Sequence, residues 1–313
     1  MSTITHRAIR TGVIAAAAGL AIAGITPALA ASWPAIPHAY SFRTVDNAND
    51  RTFNELLGIN NTGRIAGFYG SGAPGHPSKG YLLSKPYGQS DYHPVHYPGS
   101  AQTEVTGLND TGVSVGIFAN SSGAHFGFYL QNGGYHKVRF PTGNNSNPPF
   151  NELLGINNGG LAVGDFTDAG GFTHAYRYSI VTHRFFRINV RNSANVTATA
   201  INGGGTIVGF FINARGQTVA FLRHPNGTLA TLSKGGADLT QAFGISGTGL
   251  VVGTYTVGSL TYGFTWRPGQ TPHTVSDPSG VGTTFINGVN KAGDLVGFYT
   301  DSRGRVNGLL ATP

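Results

Sequence analysis

Cysteine is absent from this 313-residue chain, which excludes a disulfide scaffold, a Cys-ligated zinc or iron–sulfur centre, and thiol catalysis. Charge is scarce too. Only 11% of the residues are Asp, Glu, Lys or Arg, against roughly 25% in an average soluble domain, so Asn, Ser, Thr and Gly carry much of the surface. No run of Lys or Arg occurs, which argues against nucleic acid as a partner. No apolar run reaches the about 20 residues that a membrane-spanning helix needs. Glycine is what abounds, with 48 Gly beside 16 Pro, a composition hostile to helix. The 40% apolar and 11% aromatic residues are ample for a core, so disorder is not expected. What remains is an all-β protein.

Residues 1–30 read as a secretory signal peptide. Arg7 and Arg10 precede an apolar stretch from Val13 to Ile25, Pro27 breaks it, and Ala28-Leu29-Ala30 is a small-x-small cleavage site. No Cys follows for a lipid anchor and no Arg-Arg pair marks twin-arginine export. The expectation is therefore an extracellular, secreted chain with no stable membrane insertion after cleavage. Without residues 1–30 it carries 18 basic and 13 acidic residues, a mild positive balance that suits an acidic glycan or envelope polymer.

A unit recurs six times. Gly58-Ile59-Asn60-Asn61-Thr62-Gly63-Arg64-Ile65-Ala66-Gly67 is the first copy, and the turn position reads Asn60, Asn109, Asn157, Asn202, Ser246 and Asn290, at spacings of 49, 48, 45, 44 and 44. Such a period marks a repeat architecture. Each unit divides into four strands: one before the Asn, one after the Asn-x-x-Gly hairpin, a third such as Gly80–Leu83, and a fourth such as Tyr92–Tyr97. In the hairpin, Asn bonds its own backbone and Gly supplies positive φ. Four antiparallel strands in about 45 residues is the module of a propeller blade. The sixth unit ends with its third strand, and Tyr40–Val45 stands ahead of the first unit as the missing fourth. The expected fold is a six-bladed β-propeller of four-stranded antiparallel blades, forming one domain over residues 31–313 and closed by an N-terminal strand that completes the last blade.

The motif Gly-Ile-Asn-x-x-Gly-x-Val-Val-Gly, followed by Gly-Phe-Leu or by His174-Ala175-Tyr176, resembles the bacterial extracellular HAF repeats. The resemblance spans residues 39–310 and implies a secreted, propeller-like protein. It implies no activity.

Repetition assigns the shared aromatics, such as Tyr69, Phe118 and Phe166, to packing between sheets, and the second-strand glycines (67, 116, 164, 209, 253, 297) to close approach of adjacent blades. Function is then sought where the copies differ. Five residues before the turn position the units read Glu55, Glu104, Glu152, Thr197, Gln241 and Phe285. The first strands lack Lys and Arg, which suits the inner ring, so three consecutive blades present carboxyls near the axis. Close, buried carboxyls raise at least one pKa or recruit a cation, and a pair roughly 5–9.5 Å apart is the machinery of glycoside hydrolysis. Glu55, Glu104 and Glu152 are thus the candidate catalytic residues. Hydrogen bonding within the next blade, pairing with a loop residue such as Arg51, and cation binding are the alternatives. The connections between second and third strands open on the same face, and there His76, His125, His174, Arg215, Tyr262 and Arg303 are candidate ligand contacts. His93 and His96 sit on opposite faces of a strand and make no metal pair. No metal or other cofactor is expected, since a calcium loop and a Gly-x-Ser-x-Gly elbow are both lacking. The expected partner is a glycan or cell-envelope polymer, met by a monomer. A binding module, a glycan-cleaving hydrolase or lyase, and a structural adhesion protein remain open.

Overall fold

The computed structural model describes residues 39–313, so the signal segment lies outside the described residues. The alternating apolar stretches all form strands, and the short 3-10 turn Gln89–Asp91 is the sole helical element among the described residues. The first strands of the six units are Asn54–Ile59, Gln102–Leu108, Phe150–Ile156, Ser193–Ile201, Leu239–Ile245 and Thr284–Val289. The second strands are Ile65–Tyr69, Ser114–Ala119, Leu161–Thr167, Ile207–Asn213, Val251–Val257 and Leu295–Thr300. The third are Lys79–Leu83, His125–Gln131, Thr173–Ser179, Thr218–Arg223, Leu260–Trp266 and Val306–Thr312. The fourth are Tyr92–Val95, Gly134–Val138, Phe185–Arg187, Leu229–Leu232 and His273–Val275, and the N-terminal strand Ser41–Thr44 fills that place in the sixth unit, pairing antiparallel with Val306–Thr312.

Two sheets have four strands and two have eight. Each eight-stranded sheet is two antiparallel units joined by one parallel register pair, Phe150 with His125 in one and Thr218 with Leu239 in the other. Units six and one touch similarly through an isolated bridge of Phe53 with Val306. First strands contact one another in sequence order, and the sixth returns to the first. The units therefore stand in a closed cycle, with apolar clusters between neighbours. Leu153, Tyr176 and Tyr178 of unit three pack with Val113, Val115 and Tyr129 of unit two, for example. The third-strand aromatics Tyr81, Phe128, Tyr176, Phe221 and Phe264 are fully buried, which is the packing role that their repetition indicated.

The turn motif does more than close a hairpin. Asn109 Oδ1 accepts from the backbone N–H groups of Thr111 and Val113, and its Nδ2 donates to the Asn157 carbonyl of the next unit at 3.0 Å. Asn60 donates likewise to Asn109, Asn157 to Asn202, and Asn202 to Ser246. Ser246 and Asn290 do not continue the chain of bonds: the Ser246 hydroxyl meets Thr248 and Leu250, and Asn290 Nδ2 turns to Asp294. The turn glycines, Gly63 through Gly293, all have positive φ.

Two glycine positions have distinct causes. The first strands bulge just before the Gly of Gly-Ile-Asn, which carries that Gly to the axis. A Cβ on Gly155 would lie 2.9 Å from Ala200 Cα of the next unit, and one on Gly288 would lie 3.1 Å from Gly58 Cα. The second-strand glycines, expected to face the adjacent blade, instead face their own first strand. A Cβ on Gly164 would sit 2.0 Å from the Glu152 carbonyl oxygen, and the equivalent clash recurs at Gly67, Gly116, Gly209, Gly253 and Gly297. That carbonyl belongs to the same unit, so the requirement for glycine arises within each unit.

Candidate functional site

The six first strands converge on the axis. At the level of their glycines they enclose only a small cavity of about 80 Å³, lined by residues such as Gly58, Thr106, Leu154, Thr199, Phe243 and Asn287. Three of these polar or apolar bulge residues tie neighbours together: Thr106 Oγ1 donates to the Leu153 carbonyl, Thr199 Oγ1 to Ala242, and Asn287 Nδ2 to Leu56. The axis is thus tightly packed at this end. Glu55, Glu104 and Glu152 lie three residues upstream, about 10 Å along an extended strand, toward the end where the second-to-third connections emerge.

All three glutamates are buried, at 3%, 2% and 3% exposure. The structure sets Glu152 opposite Asp165 on the second strand, and Asp165 is itself 2% exposed. Burial foremost, then the charges of Asp165 and Glu104, push the Glu152 carboxyl well above its usual range. Burial also lifts Asp165 to about 7, against the opposing effect of a hydrogen bond from the Thr197 hydroxyl of unit four. Glu152 Oε2 has no hydrogen-bond partner among the described residues. The carboxyl group that matters most beside Glu152 is therefore one that the repeat-by-repeat comparison passed over. Its signal was present: the residue after the second-strand glycine reads Phe68, Ile117, Asp165, Phe210, Thr254 and Phe298, and an acid at an otherwise apolar or hydroxyl position is the anomaly.

The candidate ligand contacts are scattered around the rim. His76, in the connection, is exposed and lies 3.3 Å from Asp50 through Nδ1. Arg215 and Arg303 are exposed in tight turns whose N–H groups bond Asn213 and Asp301. Three residues assigned to connections begin or occupy third strands instead. His174 is half-buried, with Nε2 2.8 Å from Asp168, and Tyr262 stacks on Tyr255 at 5.3 Å. His125 is buried at 7% exposure, packs its ring against Phe150 at 4.7 Å, and is pushed down to about 4 by burial. The parallel pairing with unit three covers it, so it is a packing residue and not a displayed one. Among the described residues no group of His, Asp or Glu side chains has the arrangement of a metal site.

Two larger hollows flank the segment that runs from the N-terminal strand into unit one. The smaller, about 340 Å³, lies toward unit six and is lined by Asp46, Arg51, Tyr299, Asp301 and Arg305. Within it Arg305 lies 2.8 Å from Asp301, and Asp46 Oδ1 accepts from the Gly308 N–H. The larger, about 470 Å³, runs over unit one and is lined by Tyr69, Lys79, Tyr81, Gln89, Tyr92 and His96 among others. Gln89 separates the two, holding the segment through bonds to the Ala48 N–H and the Asp46 carbonyl. In the larger groove Tyr81 packs edge-on to Tyr92 at 4.8 Å and near-parallel to Tyr69 at 6.5 Å, and Lys79 Nζ lies 5.9 Å from the Tyr69 ring centre.

No protein-family model matches the chain, and no curated protein matches it in sequence. Solved structures do share its architecture. AofleA from Arthrobotrys oligospora superposes with a TM-score of 0.54 at 12% identity, over 87% of this chain and 86% of that one. The fucose-specific lectin from Aleuria aurantia gives 0.51 at 12% identity, over 83% of this chain and 93% of the lectin. TolB from Acinetobacter baumannii gives 0.54 at 12% identity over 80% of this chain, which spans 64% of that protein. At such identities the likeness is one of fold, and the fold of this chain is that of a β-propeller.

Proposed function

We propose that the chain is a secreted, monomeric, six-bladed β-propeller, of the kind its HAF-like repeats imply, that binds a carbohydrate or a cell-envelope polymer on the face where the second-to-third connections lie. One observation carries the reading: the groove of about 470 Å³ on unit one, walled by Tyr69 and Tyr92 with Lys79 and His96 at its margin, has the concavity, apolar wall and few polar groups of a small-ligand site. The same architecture serves a fucose-specific lectin, which supports a glycan as the ligand. His76 and Arg303 extend the same face.

A second reading, a glycan-cleaving enzyme, is favoured by Glu152 and Asp165. They are facing carboxyls of which one retains a proton near neutral pH, as a general acid requires. Burial at 2–3% for every member of the cluster weighs against it, because no substrate reaches them without an opening of the axis. A glycan array run with reducing-end and unsaturated-product assays separates the readings. Wild type is expected to bind without turnover, Tyr69→Ala to lose binding, and Glu55→Gln, Glu104→Gln and Glu152→Gln to retain it. Product formation that Glu152→Gln abolishes would establish the enzyme instead.

A further inference from the structure

We propose that the unit-one groove selects a pyranose bearing an anionic substituent, a carboxylate or a sulfate, with the sugar against the tyrosine wall and its anion on Lys79. This rests on the glycan-binding reading above and specifies the ligand at that site. Two observations lead there. Asp and Glu are absent from the lining of the groove, although the neighbouring hollow has both Asp46 and Asp301. Lys79 is exposed at the start of its strand and forms no ion pair among the described residues; its contact is the Tyr69 ring.

The physical argument concerns desolvation. A ligand that fills the groove strips water from the Lys79 ammonium, and a neutral sugar returns no charge in exchange. An anionic group replaces that water with a charge-assisted hydrogen bond, roughly twice as strong as a neutral one, while the apolar face of the ring still packs on the tyrosines. The surplus of Lys and Arg over Asp and Glu in the whole chain steers such ligands toward it. Gln89 cannot swing in to compete, since its amide is committed on both sides to the backbone of the 46–48 segment.

Calorimetric titration with trigalacturonate, its methyl ester and a sulfated disaccharide tests this, each against wild type, Lys79→Gln and Tyr69→Ala. The acid is expected to bind about tenfold or more tightly than its ester, with an affinity that falls as salt rises. Lys79→Gln removes that margin by weakening the acid, and the ester, relieved of stripping water from the ammonium, binds at least as tightly as before; because Lys79 is exposed, this variant keeps its fold even where Tyr69→Ala does not. The sulfated probe decides which anion is preferred, and tight binding of either, lost in Lys79→Gln, supports the proposal. Equal affinity for acid and ester, or an acid affinity indifferent to Lys79→Gln, overturns it while leaving glycan binding intact. Silence from every glycan, neutral or acidic, overturns both.

Discussion

The buried carboxyls make the clearest single-residue prediction. The folded chain holds protons on Glu152 and Asp165 that the unfolded chain releases near pH 4. The native state binds more protons from about pH 4 upward, so the associated stability is complete at low pH; the Asp165 share is lost as pH rises through about 7, and the Glu152 share is lost as its own raised value is passed. His125 acts in the opposite sense: it is pushed down to about 4, so between its ordinary value near 6.5 and that point stability falls as pH falls. A comparison above pH 6.5 isolates the carboxyls. Scanning fluorimetry should give wild type a lower melting temperature at pH 8 than at 6.5, and Asp165→Asn should reduce that slope, with buried Glu152 supplying what remains. A variant whose profile runs parallel to wild type would show that Asp165 titrates normally. The glutamates were legible in the sequence because they break a repeat on the strand facing the axis. Their degree of burial was not, since exposure depends on how closely six strands approach one another.

At the scale of the strand and its turn, substitutions at the turn position and at the second-strand glycine probe what the repeats share. Asn109→Ala removes three bonds that organise its own hairpin, from the Thr111 N–H and hydroxyl and the Val113 N–H, and one that reaches unit three. With each buried bond worth on the order of 1 kcal/mol, and the orphaned N–H groups adding to the loss, the expected cost is about 2–3 kcal/mol, measurable by urea unfolding. Ser246→Asn should be neutral or stabilising, because the amide regains a donor toward unit six. Gly164→Ala places a methyl on the Glu152 carbonyl, a backbone atom that cannot rotate away, and should cost at least about 3 kcal/mol. Gly203→Ala is the control: no atom lies within 4 Å of its Cβ, and its effect should stay within about 0.5 kcal/mol. The Asn-x-x-Gly turn was readable from local chemistry alone. That the second-strand glycine answers to a carbonyl of its own unit was not, because the approach of that carbonyl depends on how the first two strands pair, which neither strand encodes alone.

For the whole molecule the decisive contact is Ser41–Thr44 on Val306–Thr312, with Tyr40 and Phe42 packed on the sixth-unit cluster. Deleting residues through Thr44 uncovers a strand edge and the apolar surface beneath two aromatic rings. The expected loss is on the order of 4 kcal/mol, or about 10 °C in melting temperature, with association through the open edge visible on size-exclusion chromatography. A truncated chain that melts as wild type and elutes as a monomer would mean that the cycle holds without its seam.

By itself, the sequence determined the strands, the near-constant repeat and the pairing of the two chain ends, because a recurring hydrophobic alternation that opens with one spare strand and stops one strand short buries its faces when those ends meet. It also singled out the axis glutamates as the break in that repetition. Only the tertiary structure decided that those carboxyls are sealed among neighbours, that His125 is covered, and that the open groove lies on unit one. Tyr69, Lys79 and Tyr92 look like ordinary repeat positions in the chain. They line a groove because the segment crossing from the last unit to the first raises a wall beside them, and a wall of that kind is set by distances across the cycle of units that no local pattern encodes.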